Sequence, residues 1–466
     1  MNQEKPKNPE RLSPSDMSSL LAERGPIHVN VGATIIASGK PPQLEELTAH
    51  VEKRLALVPR FRQKVTPDPV GLDNPVWTDD KRFDIDWHVR RVALPKPGSM
   101  TELRELAGRI YSEPLDLDRP LWQLYLVEGL AGRKFALINK THHALVDGVS
   151  AIDVGTIILD PNKEGLEMPI EEERWDPDEP SPSMLLTRAA TERIARPIRT
   201  ARKAALNAVT MPRSTASTVL KTAEAFGRLA AGGSSAPKTY FNAEIGRDRR
   251  AAYVEESLDR IKAARIGEAT VNDVLLASAA GGLRRYLERH GERPEHLVGL
   301  VPMSIRRPEE KHDLGNRIAT LMVALPIAET DPVRRLELIG AETKRQKESS
   351  LADAASLVIE ASGWTPPTIN RVLAGAMSRP LNWNLVVSNV PGPQVPFFIL
   401  GRKIDAIYPF IPLSPQGHAL SIGMLSYDGG VYLGLAGDRD VLSDIELLAE
   451  DLDAALTEQI DAAGTG

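Results

Sequence analysis

Thr141-His142-His143-Ala144-Leu145-Val146-Asp147-Gly148 is the one place where two of the chain's nine histidines stand together. The octapeptide follows a predicted strand, Lys134–Lys140, and precedes an apolar, helix-like run of Val149, Ile152, Val154, Ile157 and Ile158. An imidazole at the end of a strand, beside a turn, can be aimed into a cleft while its neighbours fix its orientation. Its ordinary pKa, roughly 6.5, leaves it mostly neutral and able to take a proton near pH 7. Asp147 lies four residues after His143, close enough to brace the loop or bond a ring nitrogen. Gly148 permits a backbone conformation that a side chain forbids. The same residues also fit an exposed loop with two polar imidazoles and an Asp helix cap, and by themselves they leave both readings open. A metal site is disfavoured: adjacent imidazoles diverge, and no H-E-x-x-H or further His cluster completes a ligand set.

Around this motif the chain reads as mixed α/β. Val29–Ile36 is β-branched and predicts a strand. Leu44, Leu47, Val51, Leu55 and Val58 recur at helical spacing up to Pro59. Leu121–Glu128 and Lys134–Lys140 predict a hairpin that delivers the chain to the two histidines. In the second half a long helix is expected over Val271–Arg289 and a charged one over Asp331–Ser349. Strands are expected at Leu297–Ser304, Ile318–Ile327, Trp383–Ser388, Ala419–Ser426 and Gly430–Ala436, the last two joined by a turn at Asp428-Gly429. A final helix is expected over Asp444–Ala463. Mixed elements on both sides of a different middle suggest two α/β domains, 1–160 and 239–466, whose sheets meet around a cleft.

The middle, 161–238, opens acidic and proline-containing, then turns basic and Ala-rich. Between Met184 and Arg228 nine Lys or Arg oppose two Glu, a local charge of 9 − 2 = +7. Gly232-Gly233-Ser234-Ser235 ends it as a joint. This linker reads first as a helical crossover with one wet face, with a basic amphipathic surface that touches anionic lipid as the alternative.

Composition narrows the function. The 466 residues hold 57 Lys+Arg and 63 Asp+Glu, a net charge of −6, which makes nucleic acid a poor expectation as partner. With no cysteine, disulfides, thiolate nucleophiles and Cys-based metal sites are excluded. Met1–Glu10 has no apolar core of a signal peptide. The uncharged stretches Pro380–Gly401 and Ala406–Tyr427 contain prolines and polar residues, so they read as buried strands and loops rather than membrane spans. A cytoplasmic protein, soluble or peripherally attached, is expected.

His142-His143-x-x-x-Asp147-Gly148 resembles the H-H-x-x-x-D-G signature of acyltransferases related to chloramphenicol acetyltransferase and condensation domains. Flanking blocks resemble the bacterial wax ester synthase/diacylglycerol acyltransferase family in particular. These are Leu12-Ser13-Pro14 with Asp16, Ile27-His28-Val29, Val58-Pro59-Arg60-Phe61-Arg62, Phe83-Asp84 with His88-Val89, and Pro120-Leu121-Trp122. Beyond the linker follow Asn272-Asp273, Val301-Pro302-Met303-Ser304-Ile305-Arg306 and Ser388-Asn389-Val390-Pro391-Gly392-Pro393. One departure is Met17-Ser18-Ser19, where related openings more usually end in Phe; it bears on local packing or substrate fit.

The resemblance implies two chloramphenicol acetyltransferase-like domains, each a mixed sheet flanked by helices, with the active site at their interface. It implies an acyl-CoA-dependent O-acyltransferase that esterifies diacylglycerol, a long-chain alcohol, or both, without a cofactor. His143 would be the general base, His142 would support the loop, and Asp147 would be structural; a pairing of Asp147 with Arg306 across the junction is a hypothesis of our own. Asn272 and Asp273 read either as helix caps or as walls of a substrate channel. Trp122, with Pro120 and Leu121, reads as core with substrate contact as the alternative.

Three other readings share part of the pattern. His142 and Asp147 also satisfy H-x-x-x-x-D of glycerolipid acyltransferases, which lack the proline-turn and N-D blocks. A condensation domain would take its acyl group from a carrier-protein thioester. A non-catalytic lipid-binding or droplet-coating protein would have no need of His143 and Asp147.

Overall fold

Leu12-Ser13-Pro14 with Asp16 is a helix start written in the sequence. Ser13 Oγ accepts from the Asp16 N–H (3.1 Å), Asp16 Oδ2 accepts from the Ser13 N–H (2.9 Å), and proline opens the helix. The structure, a computed structural model, describes residues 10–23, 25–68, 74–147, 155, 158–165, 177, 184, 236–304, 318–348, 383–414 and 417–464. Gly148, Arg306 and nearly all of the linker lie outside these residues, as does the side chain of Asp147.

The first half runs β1 (Glu10–Arg11), α1 (Pro14–Ala22), β2 (Asn30–Ser38), α2 (Leu44–Arg54), β3 (Gln63–Thr66) and β4 (Val76–Asp79). It continues with α3 (Ile85–His88), β5 (Val89–Ala93), α4 (Met100–Ser112), β6 (Trp122–Glu128), β7 (Lys134–His142) and α5 (His143–Asp147). The second half comprises β8 (Arg249–Ser257), α6 (Leu258–Ala263), α7 (Val271–Arg289), β9 (Leu297–Ser304), β10 (Ile318–Leu325) and α8 (Pro332–Glu348). It ends with β11 (Leu385–Pro391), β12 (Phe398–Ile399), β13 (Arg402–Phe410), β14 (Leu420–Tyr427), β15 (Gly430–Asp438) and α9 (Ile445–Gly464).

Two six-stranded mixed sheets carry these elements, with a small one of β1, β4 and β3 beside the first. The first sheet is ordered β12-β13-β2-β7-β6-β5 and the second β10-β9-β11-β14-β15-β8. The expected hairpin pairs Trp122 with Thr141. The Asp428-Gly429 turn has φ of +43° and +81°, the doubly left-handed geometry that matches strand twist and that Asp and Gly tolerate. Each sheet has its own apolar core; that of the second includes Leu276, Leu283 and Leu287 of α7 against Leu448 and Leu452 of α9.

The sheets do not follow the boundaries read from composition. Strands β12 and β13 come from 239–466 yet complete the first sheet, with Tyr408 opposite Thr34. Asp160 anchors this crossing. Its backbone exchanges hydrogen bonds with Phe398 (2.7 and 2.9 Å), its Oδ2 accepts from the Leu400 N–H (3.2 Å), and its other oxygen pairs with buried Arg54.

Facing strands of the two sheets form a seam. Tyr253 Oη donates to Thr34 Oγ1 (2.7 Å), Tyr408 Oη to Glu255 (2.7 Å) and Tyr432 Oη to the Asp405 carbonyl (2.8 Å). Gly434 of β15 meets β13 so closely that a Cβ there would lie 1.8 Å from the Pro409 carbonyl oxygen.

Candidate active site

Strand β7 carries the chain straight into the histidine pair. The His142 N–H donates to the Leu121 carbonyl (3.0 Å) and the His143 N–H to the Val29 carbonyl (2.9 Å), so both backbones are held by neighbouring strand ends. The His142 ring is fully buried, whereas His143 is half-buried. His142 Nδ1 accepts from the Ala144 N–H (3.0 Å), which places the proton of the neutral ring on Nε2. That nitrogen stands 3.3 Å from Glu23 Oε1, an ion-pair distance just outside a directed hydrogen bond. Glu23 Oε1 also accepts from the Val29 N–H (3.0 Å). On the other ring, His143 Nδ1 lies 3.4 Å from Ser19 Oγ.

A buried polar cluster surrounds this point. Burial alone would raise the pKa of Glu23, but His142, the Val29 N–H and His28 outweigh it and hold the carboxylate below its ordinary value. Burial lowers His28; Glu23 pulls it back in part, and Arg249, Lys140 and Arg247 press it down again. Lys140, fully buried, has its pKa lowered to about 8 by burial, against the pull of Glu113. Its ammonium donates to the carbonyls of Ile110 and Glu113 (both 2.9 Å), capping the end of α4. Arg249 of β8 reaches across from the second sheet to the Pro26 carbonyl (3.1 Å). The histidine pair thus stands at the strand end where the second sheet grips the first.

A cavity of about 810 Å³ also opens on the seam, lined by Lys134, Glu255, Asp405, Tyr408 and Tyr432 among others. Its lining runs from Lys134, at the start of β7, to Tyr408, which is paired through Thr34 with Ile138, roughly 13 Å of strand from His142 at about 3.3 Å per residue.

A family model for the wax ester synthase/diacylglycerol acyltransferase catalytic domain matches residues 12–275, and one for the C-terminal domain of the same family matches 314–459. The chain belongs to the wax ester synthase/diacylglycerol acyltransferase family. It is 34% identical over 437 residues to a Mycobacterium tuberculosis protein named as a diacylglycerol O-acyltransferase, covering 89% of this chain and 82% of that one. A second protein so named from that organism, tgs2, is 32% identical over 474 residues, covering 97% and 99%. The wax ester synthase/diacylglycerol acyltransferase from Marinobacter aquaeolei VT8 superposes with a TM-score of 0.68 at 27% identity, covering 97% of this chain and all of that one. A trichothecene 15-O-acetyltransferase from Fusarium sporotrichioides shares the fold at 14% identity, with a TM-score of 0.59.

Within this wax ester synthase/diacylglycerol acyltransferase fold, the blocks have definite places. Pro120, Leu121 and Trp122 are all buried. Trp122 Nε1 donates to the Phe61 carbonyl (2.8 Å), its ring stacks on His88 (4.5 Å), and its carbonyl accepts from His88 Nδ1 (2.7 Å). The block is thus the wall that holds His142 through Leu121. Asp273 is a cap: it accepts from the Thr270 N–H (2.8 Å) and hydroxyl (2.7 Å) and from Thr343 Oγ1 (2.7 Å). Asn272 instead meets Asn389 of the proline-turn block.

Glu23, Ser19 and His28 escaped the sequence reading. The signal for the first two was a Ser and a Glu four residues apart around apolar Leu20-Leu21-Ala22. His28 stands alone among the histidines in the sequence, and nothing local marks its neighbours.

Proposed function

We propose that this acyltransferase moves a long-chain acyl group from acyl-CoA to a hydrophobic alcohol, diacylglycerol or a fatty alcohol, with His143 as general base and no cofactor. The observation that carries the reading is a half-buried imidazole whose Nδ1 side faces Ser19, at the end of a strand fixed by its neighbours. In this scheme Nε2 of His143 takes the proton of the acceptor hydroxyl as its oxygen attacks the thioester carbonyl carbon. The tetrahedral intermediate collapses with cleavage of the C–S bond, and the imidazolium returns the proton to the departing CoA thiolate. Direct transfer agrees with a chain that has no cysteine to form an acyl-thioenzyme and no G-x-S-x-G elbow.

Among the described residues no helix is long and apolar enough to cross a membrane. The +7 segment between Met184 and Arg228 supports peripheral contact with an anionic lipid surface, where such acceptors reside.

The test is purified enzyme with palmitoyl-CoA, offered diacylglycerol and hexadecanol in competition, with CoA release followed. His143→Ala should lower the rate by about 10²–10⁴-fold with the fold intact. An active His143→Ala enzyme would refute the base, and turnover only with a carrier-protein thioester would point to condensation chemistry instead.

A further inference from the structure

Ser19 and Glu23 are one helical turn apart and so point the same way from α1 and its C-terminal cap. Each meets a different histidine: Ser19 Oγ stands 3.4 Å from His143 Nδ1, and Glu23 Oε1 stands 3.3 Å from His142 Nε2. We infer that α1 is the positioning element of the reaction, with Ser19 and Glu23 orienting the two imidazoles as a pair.

The chemistry of each contact is complementary. His142 has its Nδ1 lone pair occupied by the Ala144 N–H, so the Nε2–H is on the Glu23 side of the ring, 3.3 Å from the carboxylate but short of a directed hydrogen bond. Glu23 also holds the Val29 N–H, and the Val29 carbonyl holds the His143 N–H, so one carboxylate steadies both ring-bearing residues. A neutral imidazole exists as two tautomers, and only the one protonated at Nδ1 leaves Nε2 free as the base. A serine hydroxyl can donate or accept, and in the role inferred here Ser19 Oγ accepts the Nδ1 proton of His143 and so favours that tautomer. The 3.4 Å separation is long, as hydrogen bonds to catalytic groups are before substrate binds.

The inference rests on His143 being the base, and the experiment separates the two. Ser19→Ala, Ser19→Thr, Glu23→Ala, His143→Ala and the Ser19→Ala/His143→Ala double variant are compared for kcat, for KM toward palmitoyl-CoA and diacylglycerol, and for thermal midpoint. Ser19→Ala should lower kcat by about threefold to tenfold, the weight of one hydrogen bond, and Glu23→Ala should also lower it, with both KM values unchanged. Ser19→Thr, which keeps the hydroxyl, should recover most of that loss. In the His143→Ala background, removing Ser19 should change nothing further, because Ser19 acts only through that ring.

A Ser19→Ala enzyme with wild-type kcat beside a crippled His143→Ala enzyme would overturn the inference and leave the base standing. Equal losses from Ser19→Ala with and without His143 would also overturn it, since they would show an effect that bypasses the ring. Full activity in His143→Ala would overturn both readings.

Discussion

Asn389 donates from Nδ2 to Asn272 Oδ1 across 3.1 Å, joining two blocks 117 residues apart. The contact ties the end of β11, just before Pro391-Gly392-Pro393, to the first turn of α7. It gives the two asparagines a shared purpose: holding the helix start against the strand end. Replacing either by Ala should therefore cost about 0.5–1.5 kcal/mol. The double variant should cost clearly less than the sum, a coupling measurable by urea unfolding. Strictly additive losses would show that the two side chains do not act on each other.

Asp160 is the residue on which the crossing of β12 and β13 depends. It is 1% exposed and pairs with Arg54, which is itself buried and lies against His50 Nδ1 (2.6 Å). Asp160→Ala leaves a buried guanidinium without its carboxylate, a loss of about 3–5 kcal/mol. Arg54→Met combined with Asp160→Leu removes both charges and should recover much of it. Chemical denaturation of the three variants checks this; a double variant no better than Asp160→Ala would place the loss in the loop bonds rather than in the stranded charge.

Gly434 tests the seam itself. A Cβ 1.8 Å from a backbone carbonyl oxygen cannot be relieved by a rotamer change, so Gly434→Ala must push β13 and β15 apart. Overpacking of this kind costs about 1–3 kcal/mol. A lowered thermal midpoint with reduced activity is expected, whereas Gly429→Asn, in an open turn that Asn tolerates, should be nearly neutral. A wild-type midpoint in Gly434→Ala would mean that the sheets do not meet there in solution.

Much of the scaffold was legible because it follows from periodicity. The helix expected over Val271–Arg289 has those bounds, and the strands 297–304 and 420–438 fall where β-branched and apolar runs placed them. Strand β13 was not legible as part of the first sheet, since an apolar run states that it is buried but not beside what. The same limit explains Glu23 and Ser19. Their meaning lies in which ring each meets across a fold of more than a hundred residues, which helical spacing alone does not encode. Trp122 was the reverse case: its core reading followed from its place at the start of a strand, although the indole's acceptor and stacking partner, Phe61, is distant in sequence.

Acid should weaken the fold through two buried histidines outside the catalytic pair. His88 donates from Nδ1 to the Trp122 carbonyl (2.7 Å), and His418 from Nε2 to the Trp383 carbonyl (2.8 Å). Burial lowers the pKa of each to about 4, partly opposed by those hydrogen bonds. Between about pH 6.5 and 4 the unfolded chain therefore binds protons that the folded chain refuses, so stability rises with pH across this window and is lost as pH falls through it. With both residues 1% exposed or less, the loss approaches about 3 kcal/mol for each ring by pH 4. His88→Asn and His418→Gln place an amide N–H near the donating ring nitrogen without its titration. Urea midpoints at pH 7.5 and 5 should lie further apart in the wild type than in the double variant. An equal spread in both would assign the acid sensitivity to other groups.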